Sequence, residues 1–323
     1  MRLRFCANSY EKRVWLVRVS VFLCILNSMT TTEILRTVES QIRTAQEREY
    51  FLIHEARYKY ILEQIEKITD SLSGGARRGA PVERPQHLRM IKADNSTNLR
   101  GSICEDVGRE KTRDRTRPSL KILDVGCFPY HLGAALEIMG HDVYGISSTH
   151  EPIKSQKIKI CNIESDRFPF KDNFFDFVLC TEVLEHLPQS PLHAINEIRR
   201  VLMPQGKLLL TTPNIARSIN RAKMLLGKSV TYPLSQVLEN DGEGSNIYHR
   251  HNREYTLKEL ATLLSHAHFS VDVAECFISY TPFRRRVRPD PLWLKAGKVA
   301  NYILMLMVSG LRDTLLVIAT KNV

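Results

Sequence analysis

The chain has 323 residues, 43% of them hydrophobic and 25% charged, proportions that exclude wholesale disorder and a polytopic membrane protein. Net charge is +11, divided unevenly: residues 1–118 hold 22 Lys and Arg against 15 Asp and Glu, and residues 119–323 hold 24 against 20. The second part is only mildly basic and has no dominant Lys/Arg block, so nucleic acid is not the favoured partner.

In residues 1–28, Arg2, Arg4, Lys12 and Arg13 precede an apolar run, residues 14–26, that Arg18 interrupts. The run falls short of the about 20 apolar residues that span a bilayer. It also lacks the unbroken core and small-residue cleavage site of a signal peptide. The reading preferred here is a start at Met29, because Thr30-Thr31-Thr32-Glu33 opens a helix with good N-cap chemistry.

Residues 29–72 read as an amphipathic helical arm: 33–72 contain no Gly or Pro, and Tyr58, Ile61, Ile65, Ile68 and Leu72 recur at alternating spacings of three and four. Two uses fit, a helix packed on its own catalytic domain (monomer) or a coiled-coil arm (dimer), and the heptad fades before Tyr58, which favours the first. Residues 73–118 have few apolar residues and read as a disordered linker.

From residue 119 to 323 the pattern is α/β. Strands are expected at 121–125, 142–146, 158–161, 175–180 and 207–211, with helices near 131–139, around Val183 and at 192–202. A helix at 257–266 and strands at 269–278 and 313–320 follow. Such alternation gives a mostly parallel sheet covered on both faces. An insertion at about 284–310 runs from Arg284-Arg285-Arg286-Val287-Arg288 into Leu292-Trp293-Leu294 and an apolar stretch at 302–308. Its composition suits a peripheral membrane element or a lid over the site. The seven cysteines, Cys6, Cys24, Cys104, Cys127, Cys161, Cys180 and Cys276, lack CxxC spacing and read as free thiols of a reducing, cytoplasmic setting.

Leu123-Asp124-Val125-Gly126 ends the first strand in a glycine turn, where open α/β sheets bind nucleotide-like ligands. In order after it come Val143-Tyr144-Gly145-Ile146-Ser147, Phe168-Pro169-Phe170, Asn173-Phe174-Phe175-Asp176-Phe177 and Leu202-Met203-Pro204-Gln205-Gly206. With Glu182-Val183-Leu184-Glu185-His186 after the fourth strand, the chain resembles the class I S-adenosylmethionine-dependent methyltransferases over roughly residues 120–321.

That resemblance implies a Rossmann-like seven-stranded sheet of order 3-2-1-4-5-7-6 with an N-terminal helical appendage, and methyl transfer from S-adenosylmethionine. It assigns cofactor contacts to Asp124, Gly126, Cys127, Phe128, Tyr130, Ser147, Asn162, Ile163, Thr181 and Glu182. Departures stand at Phe128 and Tyr130, where the family has glycines, and at Ser147 and Asn162, where it has acids. Losing the ribose acid at Ser147 should cost on the order of 1 kcal/mol.

Glu182, Glu185 and His186, together with His251 in Tyr248-His249-Arg250-His251-Asn252-Arg253-Glu254-Tyr255-Thr256, resemble the Mg²⁺/Mn²⁺ site of small-RNA 2′-O-methyltransferases. The alternative is catalysis without metal, with His186 or His251 as general base beside Glu185, and a structural role also fits. The leading function is O-methylation of a hydroxylated small molecule, a glycan or lipid-linked intermediate ahead of a quinone-like one. An RNA 2′-O-methyltransferase and a catalytically silent binding fold are the alternatives.

Overall fold

Lys121–Val125 forms β1, five residues of which the last four are buried, as expected of a strand covered on both faces. The computed structural model describes residues 29–75, 118–148, 157–231, 234, 250–280 and 291–322. The readings on residues 1–28, most of the proposed linker, Tyr248-His249 and the arginine run at 284–288 lie outside the described residues.

The strands that follow are β2 (Asp142–Ser147), β3 (Ile158–Ile160), β4 (Phe175–Thr181), β5 (Leu202–Pro213), β6 (Phe269–Phe277) and β7 (Thr314–Lys321). They make one seven-stranded sheet of order β3-β2-β1-β4-β5-β7-β6, as the resemblance implied. β1 to β5 pair in parallel, and β7 inserts antiparallel between β5 and β6.

The helices are α1 (Thr31–Gln41), α2 (Ala45–Gly75), α3 (His131–Ile138), α4 (Leu192–Val201), α5 (Ser218–Leu225), α6 (Leu257–His266) and α7 (Leu292–Met307). Thr30 and Glu33 close a reciprocal capping box on α1, and Thr256 and Glu259 do the same for α6. In α4, Ala194, Ile195, Ile198 and Val201 sit on one face and are buried against the sheet's core cluster. Cys127, Cys161, Cys180 and Cys276 are buried free thiols.

Two units are distinguished within the chain. One holds the residues up to Gln64 together with Ser119–Val323, and the other is Ile65–Pro118. In the second, the described helix is braced by Thr69, whose hydroxyl donates to the Ile65 carbonyl at 2.8 Å.

The expectation that failed is the helix around Val183. Only a single 3₁₀ turn, Leu184–His186, forms there. Glu182 stands before that turn with φ 56°, and its N–H donates to the Thr211 carbonyl at the end of β5. The Glu185 carbonyl is taken by the N–H groups of Asn252 and Arg253. These long-range partners consume groups that a helix would need for its own ladder.

Candidate active site

At the end of β1 the N–H groups of Gly126 and Cys127 both donate to the Ile146 carbonyl, at 2.9 and 3.1 Å, turning the chain sharply across β2. Gly126 has φ 78°, and a Cβ there would lie 2.5 Å from Val183 Cγ2, so no larger residue fits. Asp124, one position inside the strand, is buried, and burial alone pushes its carboxyl up to about 7. Among the described residues no hydrogen-bond donor reaches it. A buried carboxyl without a partner beside a glycine turn suits a cationic ligand group, and the ammonium of S-adenosylmethionine is one.

Phe128 and Tyr130, the two bulky residues of this loop, are placed differently. Phe128 is half-exposed, whereas Tyr130 folds onto α3, its hydroxyl donating to Glu137 at 3.1 Å and its ring filling the space above Gly133. At the end of β2, Ser147 is buried and its carbonyl accepts from Cys161 N–H at 3.1 Å. The Asn162 side-chain oxygen accepts from Glu164 N–H at 3.1 Å, while Asp166 accepts from Asn162 N–H at 2.9 Å. Asn162 is thus occupied in its own turn. Ile163 packs against the core.

β4 ends at Thr181, and Glu182 follows in a backbone conformation that non-glycine residues seldom adopt. Its Oε1 accepts from the Thr211 hydroxyl at 2.9 Å and its Oε2 pairs with Arg57 at 2.9 Å. Arg57 comes from α2 and is buried. The same helix places Glu47 3.1 Å from His131, packs Phe51 and Tyr58 edge-on around that imidazole, and stacks Tyr60 on Phe277 at 4.3 Å. Since Glu182, His131 and Phe277 all follow or end elements at the carboxyl side of the sheet, α2 up to Gln64 roofs the site. Tyr58 and Ile61 are buried in that roof rather than offered to a second helix.

Arg57 had no assignment from sequence, where it is one more charged residue of a helical arm. Its replacement by alanine should lower stability by about 2–3 kcal/mol, because the part-buried Glu182 carboxylate loses its counter-charge. A thermal melt of Arg57→Ala checks this. Restoration of part of the loss in the Arg57→Ala/Glu182→Gln double variant identifies the unpaired charge as its cause.

Glu185, His186 and His251 converge as the sequence motif implied. A donor atom of each lies within 4.8 Å of the others, and the two imidazole rings meet edge to face with centroids 5.0 Å apart. Glu182 does not join them, because Arg57 and Thr211 hold its carboxylate; the four-residue set is corrected to three.

Glu185 is fully buried. Its Oε2 accepts from the Thr212 hydroxyl at 2.9 Å, and its Oε1 has no hydrogen-bond partner. Burial first, and the Glu182 charge second, push its carboxyl well above the ordinary range. The Oε1 atom lies 3.9 Å from His186 Nε2. His186 Nδ1 stands 3.2 Å from the Arg250 carbonyl, which can only accept, so Nδ1 carries the proton.

His251 is set by a support that the sequence did not disclose. Its Nδ1 lies 3.1 Å from Glu254, which is also gripped by both guanidinium nitrogens of Arg217 at 2.7 and 2.9 Å and by Asn220. Burial opposes ionisation of Glu254, but the hydrogen bonds from His251 and Arg217 prevail and lower it to about 2. A carboxylate at Nδ1 fixes the proton there and leaves the lone pair on Nε2. Glu254 stood in the His-rich run, yet nothing local marked it as the group orienting His251.

Residues 97–273 match the family model of a methyltransferase domain. Over 140 residues the chain is 52% identical to an uncharacterized protein of Methanocaldococcus jannaschii, covering 42% of this chain and 57% of that one. Over 108 residues it is 32% identical to a ubiquinone biosynthesis O-methyltransferase of Haemophilus ducreyi, covering 29% and 45%. The chain therefore spans about half the length of these relatives. A solved S-adenosylmethionine-dependent methyltransferase of Archaeoglobus fulgidus superposes on 63% of this chain and 86% of its own, with 14% identity and a TM-score of 0.43.

Proposed function

The chain belongs to the family of methyltransferase domains, and on that premise we propose that it methylates a hydroxyl oxygen of a small metabolite, a glycan or a lipid-linked intermediate. The observation that carries this reading is the convergence of Glu185, His186 and His251 at the carboxyl side of β4. A relative named as an O-methyltransferase supports a hydroxyl acceptor.

S-adenosylmethionine supplies an electrophilic methyl on a sulfonium, so a new O–CH₃ bond forms as the S–CH₃ bond breaks. Asp124, ionised against the ligand's ammonium, anchors it, and the Gly126 turn admits it closely. Asn162 and Ile163 border the region that the resemblance gives to adenine, and Ser147 the region it gives to ribose. The acceptor hydroxyl loses its proton to Nε2 of His251, with Glu254 stabilising the imidazolium that forms. His186, backed by the buried Glu185 carboxyl 3.9 Å from its Nε2, holds the hydroxyl in line.

The same three donors suit an octahedral Mg²⁺ or Mn²⁺ ion, which would bind the acceptor oxygens directly. Transfer of a labelled methyl group to separated lipid, glycan and RNA fractions tests the proposal. Label in lipid or glycan as an alkali-stable ether, with turnover unaffected by EDTA, is expected. Turnover lost to EDTA and restored by Mn²⁺ would replace the base with the metal, and label in nuclease-sensitive material would replace the acceptor with RNA. A cytoplasmic setting, peripheral to a membrane, accords with the buried thiols; among the described residues no helix is long and apolar enough to cross a bilayer.

A further inference from the structure

Helix α7 is amphipathic in the reverse sense. Leu292, Ala296, Ile303 and Met307 follow each other at i, i+4, i+11 and i+15 on one side, with Leu306 beside them, and all five are solvent-exposed. The opposite side carries Asn301, which donates to the Tyr280 hydroxyl and accepts from the Ser218 hydroxyl, and Met305, which is buried. A surface helix of a water-soluble domain turns its apolar stripe inward. Here a polar residue holds the helix to the protein and the apolar stripe faces out.

The Ser218–Asn301 hydrogen bond ties α5 to α7, and the end of α5 with its C-cap presents Met224, Leu225 and Leu226, all exposed. Leu225 is 88% exposed, Met307 78% and Trp293, at the start of α7, 75%. Single exposed apolar residues are ordinary, but a whole exposed stripe on α7, with further exposed apolar residues at the end of the helix tied to it, marks an interaction surface.

Charge decides the occupant. Residues 218–231 and 291–311 contain no Asp or Glu, while Arg221, Lys223, Lys228, Lys295 and Lys298 lie among them. In a two-fold dimer built on this face each patch would meet its own copy, bringing like charges together. An anionic bilayer complements both the basic residues and the apolar stripe, and an exposed Trp suits the interface between headgroups and acyl chains. Sixteen residues are too few to cross the bilayer, so α7 lies in its plane. We propose that the α5/α7 face docks this protein on an anionic lipid surface, an assignment that does not depend on which acceptor is methylated.

Flotation of the full chain with vesicles of phosphatidylcholine, alone or with phosphatidylglycerol, tests this. Binding should require phosphatidylglycerol and fall with added salt. Neutralising Lys223 or Lys295 should each weaken it about fivefold, and Leu225→Glu or Met307→Glu about tenfold or more. Trp293 emission, read in a Trp15→Phe background, should shift to the blue on binding. All variants should keep wild-type affinity for S-adenosylhomocysteine, which reports an intact fold. Absence of binding to the anionic vesicles, equal binding to neutral ones, or binding that survives Leu225→Glu/Met307→Glu would overturn the proposal. So would a solution dimer that this double variant splits, since the face would then be a contact between copies.

Discussion

Asp124→Asn should leave the ligand-free protein more stable than the wild type at neutral and alkaline pH while removing most of its affinity for S-adenosylmethionine. The folded-state carboxyl of Asp124 titrates at about 7, against about 3.9 in an unfolded chain. Between these values the unfolded chain has lost a proton that the folded one retains, so stability falls as pH rises through the window, by about 4 kcal/mol in total. The amide variant has nothing to ionise and escapes that loss.

Ligand reverses the balance, because its ammonium supplies the counter-charge that the protein omits. Wild-type affinity should therefore rise with pH until about 7 and then level off. His131, whose imidazole burial makes harder to protonate, contributes a slope of opposite sign, since its unfolded form takes up a proton first as pH falls. The difference between wild type and variant cancels that contribution. Thermal unfolding of both proteins at about pH 5 and about pH 8, with calorimetric titration of S-adenosylhomocysteine, measures the effect. A variant that binds like the wild type would show that Asp124 does not face the ligand.

His251→Ala should lower the turnover of the methylated fraction by about 10²- to 10⁴-fold, the usual worth of a positioned general base, with cofactor affinity unchanged. Glu254→Gln should give a smaller loss, because an amide can still contact Nδ1 but no longer stabilises the imidazolium or enforces its tautomer. Arg217→Met should resemble Glu254→Gln in turnover but also lower the melting temperature, since it strands a buried carboxylate. The order of these losses distinguishes a base from an ion site. A ligand to a metal would lose metal affinity on His251→Ala, and added Mn²⁺ would then recover part of the rate. Wild-type turnover in His251→Ala would remove the base assignment.

Much of the fold is legible because it rests on short-range pattern. Residues 315–319 are an unbroken apolar run and Ile122-Leu123 with Val125 form the apolar part of β1, as strands covered on both faces require, and Leu257–His266 forms where its capping threonine and apolar spacing place it. The turn at Gly126 was legible for the same reason: one residue type tolerates its backbone and the contact with Val183. The partnership of Glu185, His186 and His251 could be expected from motif alone, but the motif wrongly put Glu182 with them, as if all lay on one helix.

What the sequence determined by itself was the order of strands and helices, the family and the chemistry-bearing residue types, all set by local periodicity and by a motif whose members stand close together in the chain. Tertiary structure decided which charges meet. Arg57 reaches Glu182, and Arg217 with Glu254 orients His251, because segments far apart in sequence meet at the carboxyl ends of β4 and β5. It also decided which way α7 faces. Composition allowed the apolar side of that helix to cover the site or to look outward, and Asn301, which accepts from the Ser218 hydroxyl and donates to the Tyr280 hydroxyl, turns it outward, since a part-buried amide must find partners and an exposed leucine need not.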